Sequence, residues 1–111
     1  MRVYNKWHSM IKKELKKMNL THPQFVVLAS LAYLSQDSNE VTQVMISKLS
    51  GIDVMTVSQI LNLLEKNDFV KRKEHSRDTR AKAVILNKKG EEVLQKAVPL
   101  VEQIDEFFFE K

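Results

Sequence analysis

Apolar residues first recur at helical spacing. Tyr4, Trp7, Ile11, Leu15 and Met18 lie three or four positions apart, with Lys6, Lys12, Lys13, Lys16 and Lys17 off their stripe, the pattern of an amphipathic helix. Thr21-His22-Pro23-Gln24 reads as a capping box. The threonine hydroxyl can accept from a first-turn amide, the glutamine can reach back, and proline is tolerated in a first turn. The helix it opens carries Phe25, Val26, Val27, Leu28, Leu31, Ala32 and Leu34, apolar nearly all round, as expected for a core helix packed on several sides. Residues 35–40 are polar and read as a loop. Thr42 is then placed to cap a short helix that ends at Ser50-Gly51. Asp53 caps the next, whose Val57, Ile60, Leu61 and Leu64 form one apolar stripe. Met55, Gln59, Asn62 and Lys66 project opposite that stripe, flanked by Ser58.

After this helix the period changes. Residues 69–73 and 81–86 have strand character around a polar, basic tip over 75–80, which predicts a β-hairpin. Asn87 is the expected cap of a last helical region, with Val93, Leu94, Ala97, Leu100, Val101, Ile104, Phe107 and Phe108 on its apolar face. Pro99 is expected to kink or divide it, and the consecutive Phe107, Phe108 and Phe109 predict a partner surface.

Composition narrows the possible chemistry. The 111 residues, 43% hydrophobic and 29% charged, are enough for one compact domain. Cysteine is absent, which excludes disulfides, thiolate nucleophiles, thiol redox sensing and cysteine zinc sites, and fits a reducing, cytoplasmic setting. With Gly51 and Gly90 the only glycines, neither a P-loop nor a GxGxxG turn can be written. The longest apolar stretch, 25–34, has half the length a bilayer requires, so a soluble protein with no membrane partner is expected. His8, His22 and His75 fall in separate elements, no HExxH occurs, and the carboxylates are scattered. These features predict no metal site, no cofactor and no enzymatic activity.

Charge placement changes the picture more than the net +4 does. Residues 71–89 hold eight basic and two acidic side chains, a local +6, whereas 18–70 and 90–111 are net acidic. Such a run is commonly just a solvated face. Beside an element able to enter a groove it becomes the footprint of nucleic-acid binding. Two short helices joined through a glycine turn, the second with a polar outer face, match a helix-turn-helix, although similar helix pairs occur in proteins that never touch DNA.

The order helix, helix, helix-turn-helix, two-stranded hairpin, helix resembles the winged-helix transcription regulators of the MarR family. Asp53-Val54-Met55-Thr56-Val57-Ser58, with Leu64-Glu65 before Phe69-Val70, is similar to the family's recognition helix and its exit, where Asn67-Asp68 replaces the usual glycine turn. Asp78 and Arg80 supply the family's D-x-R element, and Leu86-Asn87-Lys88-Lys89-Gly90 resembles its LTxxG helix start. The resemblance implies a fold that is mainly α with a small β-hairpin wing, a winged helix-turn-helix with flanking dimerisation helices. It divides a single domain over 1–111 into dimerisation helices at 1–18 and 88–111, a helix-turn-helix at 42–66 and a wing at 69–86. Family members have a longer first helix and continue past the position of Lys111. Either a trimmed dimerisation region suffices here, or the chain belongs to a longer one.

It further implies a sequence-specific, homodimeric DNA-binding regulator, expected to be a repressor of a pseudo-palindromic operator on double-stranded DNA. Ser58, Gln59 and Asn62 would read base edges, with Lys66 at the end of the same face. Asn and Gln can pair bidentately with adenine, and Met55 and the Thr56 methyl can meet the thymine methyl, so an A/T-containing site is expected. Thr42, Gln43 and Lys48 are placed for phosphates. On the wing, His75, Ser76, Arg77, Asp78, Arg80 and Lys82 face the duplex, with Arg80 the foremost contact and Asp78 orienting it or a neighbour. Family regulators typically release DNA when a small aromatic or anionic effector binds. Trp7, His8, His22 and Phe25 could line such a pocket, although Trp7 and Phe25 also fit plain core. The rival to DNA binding is a winged helix used for protein association, which a basic, polar hairpin argues against. A membrane-surface role for the basic helix over 1–18 is the remaining alternative, for which no vesicle binding is expected.

Overall fold

Three helix starts are each fixed by a side chain just before them. At the start of α1 (His22–Ser35), Thr21 Oγ1 accepts from the Gln24 amide at 3.2 Å and Gln24 Oε1 accepts from the Thr21 amide at 3.0 Å. This closes the expected capping box, with Pro23 in the first turn. Thr42 opens α2 (Gln43–Ser50) by accepting from the Met45 amide at 3.3 Å, and the Met45 thioether stands where a Glu or Gln would reach back. Asp53 opens α3 (Val54–Lys66): Oδ2 accepts from the Thr56 amide at 3.2 Å and Oδ1 from the Thr56 hydroxyl at 2.5 Å.

The computed structural model describes residues 9, 10, 12–18, 20–77 and 81–109, with 100–109 by backbone alone. Within the expected first helix, 12–16 are helical, whereas Tyr4, Trp7 and Ile11 lie outside the described residues, as do the side chains of Phe107 to Phe109.

Between α2 and α3 the chain turns through 113°, within the range of a helix-turn-helix. Gly51 makes the turn possible, capping α2 at φ 79°, a left-handed conformation that glycine adopts without steric cost. Ser47 Oγ donates to the Ile52 carbonyl at 2.6 Å, and the Ile52 amide donates to Ser50 Oγ at 3.2 Å, pinning the link. After α3, Asp68 takes a left-handed φ of 69°, which aspartate tolerates better than bulkier residues.

β2 (Val70–Glu74) and β3 (Lys82–Leu86) pair antiparallel, with Arg72 opposite Val84. A third strand joins them. β1 (Val41–Thr42) pairs antiparallel with β3, giving the order β1-β3-β2, where a hairpin alone was expected. Two residues are too few to show alternation, and Thr42 serves as both strand residue and helix cap. α4 (Lys88–Phe109) runs without a break past Pro99, so proline does not divide it. Pro99 and Gln95, whose carbonyl loses its amide partner, are both exposed, and water can replace the missing bond.

The core gathers where these elements meet. Val27, Leu28 and Leu31 of α1, Ile46 of α2, and Val57, Leu61 and Leu64 of α3 are fully enclosed, together with Val41, Val70 and Val84 of the sheet. Each such side chain contributes roughly 1.5–3 kcal/mol by leaving water. α4 adds Leu94 and Ala97. It can approach closely because a Cβ on Gly90 would fall 2.3 Å from the Phe69 carbonyl oxygen. The Asn87 amides tie its start to the turn after α3, the backbone N–H donating to Phe69 O at 2.9 Å and Nδ2 to Asp68 O at 3.2 Å.

Candidate nucleic-acid interface

With its apolar stripe spent on the core, α3 turns Met55, Gln59, Asn62 and Lys66 to solvent. Met55 is 73% exposed, an arrangement suited to apolar contact with a base methyl. Ser58 and Thr56 are half-buried beside this face. The Thr56 hydroxyl proton is committed to Asp53, and that bond, with the Thr56 amide, holds the Asp53 carboxyl below its ordinary pKa.

Behind Asn62 lies an arginine that charge alone does not single out from the basic run. Arg72 of β2 donates from Nη2 to Glu65 Oε1 at 2.9 Å, from Nε to the same oxygen at 3.3 Å, and from its backbone amide to Glu65 Oε2 at 3.2 Å. Nη1 reaches Gln43 Oε1 at 3.1 Å and Nη2 also donates to Asn62 Oδ1. One arginine side chain, only 18% exposed, therefore joins α2, α3 and the sheet. Its side-chain hydrogen bonds are the main reason that the Glu65 carboxyl sits below the usual range. A signal for it existed in the strand alternation. Arg72 shares the face of buried Val70, and a cation facing inward needs a carboxylate.

The loop end of the wing is also tied down. Glu40 accepts from the Ser76 amide at 2.7 Å and the Ser76 hydroxyl at 2.5 Å, with His75 Nε2 at 3.9 Å. Ser76 is the leading cause of the lowered Glu40 pKa. His75 Nδ1 accepts from the Arg77 amide at 3.1 Å. The loop before β1 thus fixes the hairpin through Glu40, a residue outside the sequence-derived site. The side chains of Lys71, Lys73, Arg77 and Lys82 are exposed on the wing, and Lys48 is exposed on α2. Thr42 and Gln43 are half-buried, the first as a cap and the second on Arg72. Asp78 and Arg80 lie outside the described residues.

Of the expected effector-pocket residues, Trp7 and His8 lie outside the described residues. His22 is half-buried at the first position of α1, and Phe25 packs against the core. Clefts open elsewhere among the described residues. One of about 520 Å³ is lined by Ala32, Ser35, Ser38, Val84, Leu86 and Leu94, and one of about 490 Å³ by Lys17, Met18, Phe69, Lys89, Val93 and Lys96. Neither is lined by His22 or Phe25. Among the described residues, no three His, Asp or Glu side chains form a metal set, and no single helix is long and apolar enough to cross a membrane.

The helix-turn-helix, the sheet and the succeeding helix agree with a known profile, the ArnR1-like winged-helix domain, which matches residues 16–104. The chain belongs to the ArnR1-like winged-helix family. It is 36% identical over 103 residues to YdcH, an uncharacterized HTH-type transcriptional regulator of Bacillus subtilis (strain 168), a match covering 93% of this chain and 70% of that protein. Among solved structures, the ArnR1-like chain is similar to BpsR of Bordetella bronchiseptica, whose DNA binding is regulated by 6-hydroxynicotinic acid. The TM-score is 0.80 at 27% identity, over 98% of this chain and 80% of BpsR. Its fold also matches a mutant MarR from E. coli in complex with operator DNA, with a TM-score of 0.83 at 22% identity over 96% and 74% of the two chains. This ArnR1-like protein is an HTH-type transcriptional regulator, and its fold is the one that MarR carries.

Proposed function

We propose that the chain binds duplex DNA as a homodimer, inserting two copies of α3 into successive major grooves of a pseudo-palindromic operator and repressing transcription there. The observation that carries this reading is the outer face of α3. Met55, Gln59, Asn62 and Lys66 are exposed together on the second helix of a 113° helix-turn-helix, and Arg72 links that helix to a wing bearing exposed cations. A two-fold dimer would present its helices about 34 Å apart, one turn of the duplex. The mutant MarR, of the same fold, was solved on operator DNA, which supports the mode. On the wing, Arg77, Lys82 and, from the sequence motif, Arg80 serve phosphates or the minor groove, with Asp78 orienting Arg80 or a neighbour by an ion pair.

Release by a small aromatic or anionic effector completes the proposal. The aromatic acid that regulates BpsR supports it, and the cleft of about 520 Å³ has the size of a small-molecule site. Selection of bound duplexes from random DNA, in moderate salt, tests the central claim. Wild type is expected to enrich a two-fold symmetric site, and Arg80→Ala to bind it more weakly by about 1–3 kcal/mol with a shallower salt dependence. Salt-sensitive affinity with no enriched sequence would defeat the reading and favour a winged helix whose partner is a protein.

A further inference from the structure

The bonds around Arg72 settle which way two amide side chains face. A guanidinium carries five N–H donors and no acceptor, so the atom of Asn62 against Nη2 and the atom of Gln43 against Nη1 must both be carbonyl oxygens. The usual ambiguity between amide oxygen and nitrogen is removed by the chemistry of the partner. The guanidinium is itself held in place by both oxygens of Glu65, and it is largely enclosed. With each oxygen turned inward, the NH₂ groups are what a partner meets. For Asn62, which is exposed on the outer face of α3, that group is a pure donor.

We propose that Arg72 sets base preference without touching DNA: by holding the Asn62 carbonyl oxygen, it makes Asn62 a donor that selects the guanine edge in place of adenine. This rests on the DNA-binding reading above. Pairing with adenine needs the amide oxygen to accept from N6 and the amide nitrogen to donate to N7. Here Arg72 takes one of the two lone pairs of Oδ1 and fixes the plane of the amide, so Oδ1 is turned toward the guanidinium and away from the adenine amino group. Guanine presents two acceptors side by side, N7 and O6; adenine offers N7 as well, so the preference comes from O6, which accepts from the NH₂ group at the place where adenine turns a donor toward it. The A/T expectation drawn from Asn62 as a bidentate reader is thereby reversed at its position, while Gln59 keeps it at its own. Gln43, held in the same way, offers its NH₂ to a phosphate oxygen, a positioning contact. Arg72 is a positioning residue for both.

Duplex selection with wild type, Asn62→Ala, Asn62→Asp and Arg72→Lys tests the inference, with circular dichroism to check that each variant is folded. Wild type is expected to prefer guanine over adenine by about tenfold at one symmetry-related pair of positions, and Asn62→Ala to lose the preference there alone. Asn62→Asp keeps one oxygen for Arg72 and turns an acceptor outward, so the preference moves to cytosine, whose N4 donates. Arg72→Lys frees the amide to turn and shifts the same pair toward adenine, leaving other positions unchanged. Adenine in the wild-type site at the Asn62-dependent pair, or guanine retained in a folded Arg72→Lys protein, would overturn the proposal. Should Arg72→Lys not fold, the wild-type and Asn62→Asp preferences decide it. A wild-type site that Asn62→Ala leaves unaltered sinks this inference alone, whereas no enriched site at all sinks the DNA-binding reading along with it.

Discussion

Gln43, Thr56, Asn62 and Ser76 each spend part of their hydrogen-bonding capacity inside the protein, whereas the side chains of Gln59, Lys66 and Arg77 are exposed. In the proposed complex Gln59 and Arg77, both exposed, have different tasks. A base-reading side chain changes affinity for one sequence, and a phosphate contact changes affinity for all. Gln59→Ala is therefore expected to cost about 1–3 kcal/mol on the selected operator and little on random DNA. Arg77→Ala is expected to weaken both alike and to lower the salt slope by about one. Titrations of both duplexes at several salt concentrations check the pair, and equal losses on operator and random DNA for Gln59→Ala would remove it from base reading. The exposed face was legible in the sequence because Met55, Gln59, Asn62 and Lys66 repeat at spacings of three and four against a stripe of branched aliphatics. The commitment of Asn62 to Arg72 was not, since their meeting depends on where β2 returns against α3, and local periodicity carries no such information.

At the level of the elements, the caps were readable and the joints were not. Thr21, Thr42 and Asp53 stand next to the helices they open, so the chemistry that fixes each start lies within three residues. β1 escaped notice because its two residues are defined only by pairing with β3, more than forty positions away. The two glycines show the same contrast between local and long-range demands. Gly51 needs its φ of 79° but has open space where a Cβ would stand. Gly90 needs that space, since a Cβ there meets the Phe69 backbone at 2.3 Å. Gly51→Ala is expected to cost about 1 kcal/mol, and Gly51→Asn less, because asparagine tolerates the left-handed region. Gly90→Ala must push α4 from the turn that leads into β2, at a cost of about 1–3 kcal/mol or more. Thermal unfolding should rank them in that order, at about 4–8 °C per kcal/mol for a domain near this size. A Gly90→Ala protein as stable as wild type would show that α4 is not seated as described.

Across the whole molecule, three carboxylates hold the parts of the interface together. Glu40 joins the loop before β1 to the wing, Asp53 joins the turn to α3, and Glu65 joins α3 to β2 through Arg72. All three have pKa values below their ordinary ones because they accept hydrogen bonds in the folded state. A lowered folded-state pKa means that the native protein binds fewer protons than the unfolded chain. The stability these bonds contribute is thus present above the ordinary carboxylate range, near pH 4, and is lost as pH falls through the folded values. Acidification also leaves the 18 Lys and Arg with less negative charge to offset them, so any protein of this composition weakens in acid. The joint at Glu65 is separable from that background by substitution. Glu65→Gln is expected to lower stability at neutral pH, where the charged bond to Arg72 is lost, and to flatten the dependence of stability on pH below about 5. Urea unfolding midpoints from pH 7 to pH 3 measure both effects. If the variant ran parallel to wild type across that range, Glu65 would not be titrating as a joint, and Arg72 would need another anchor for its hold on Asn62.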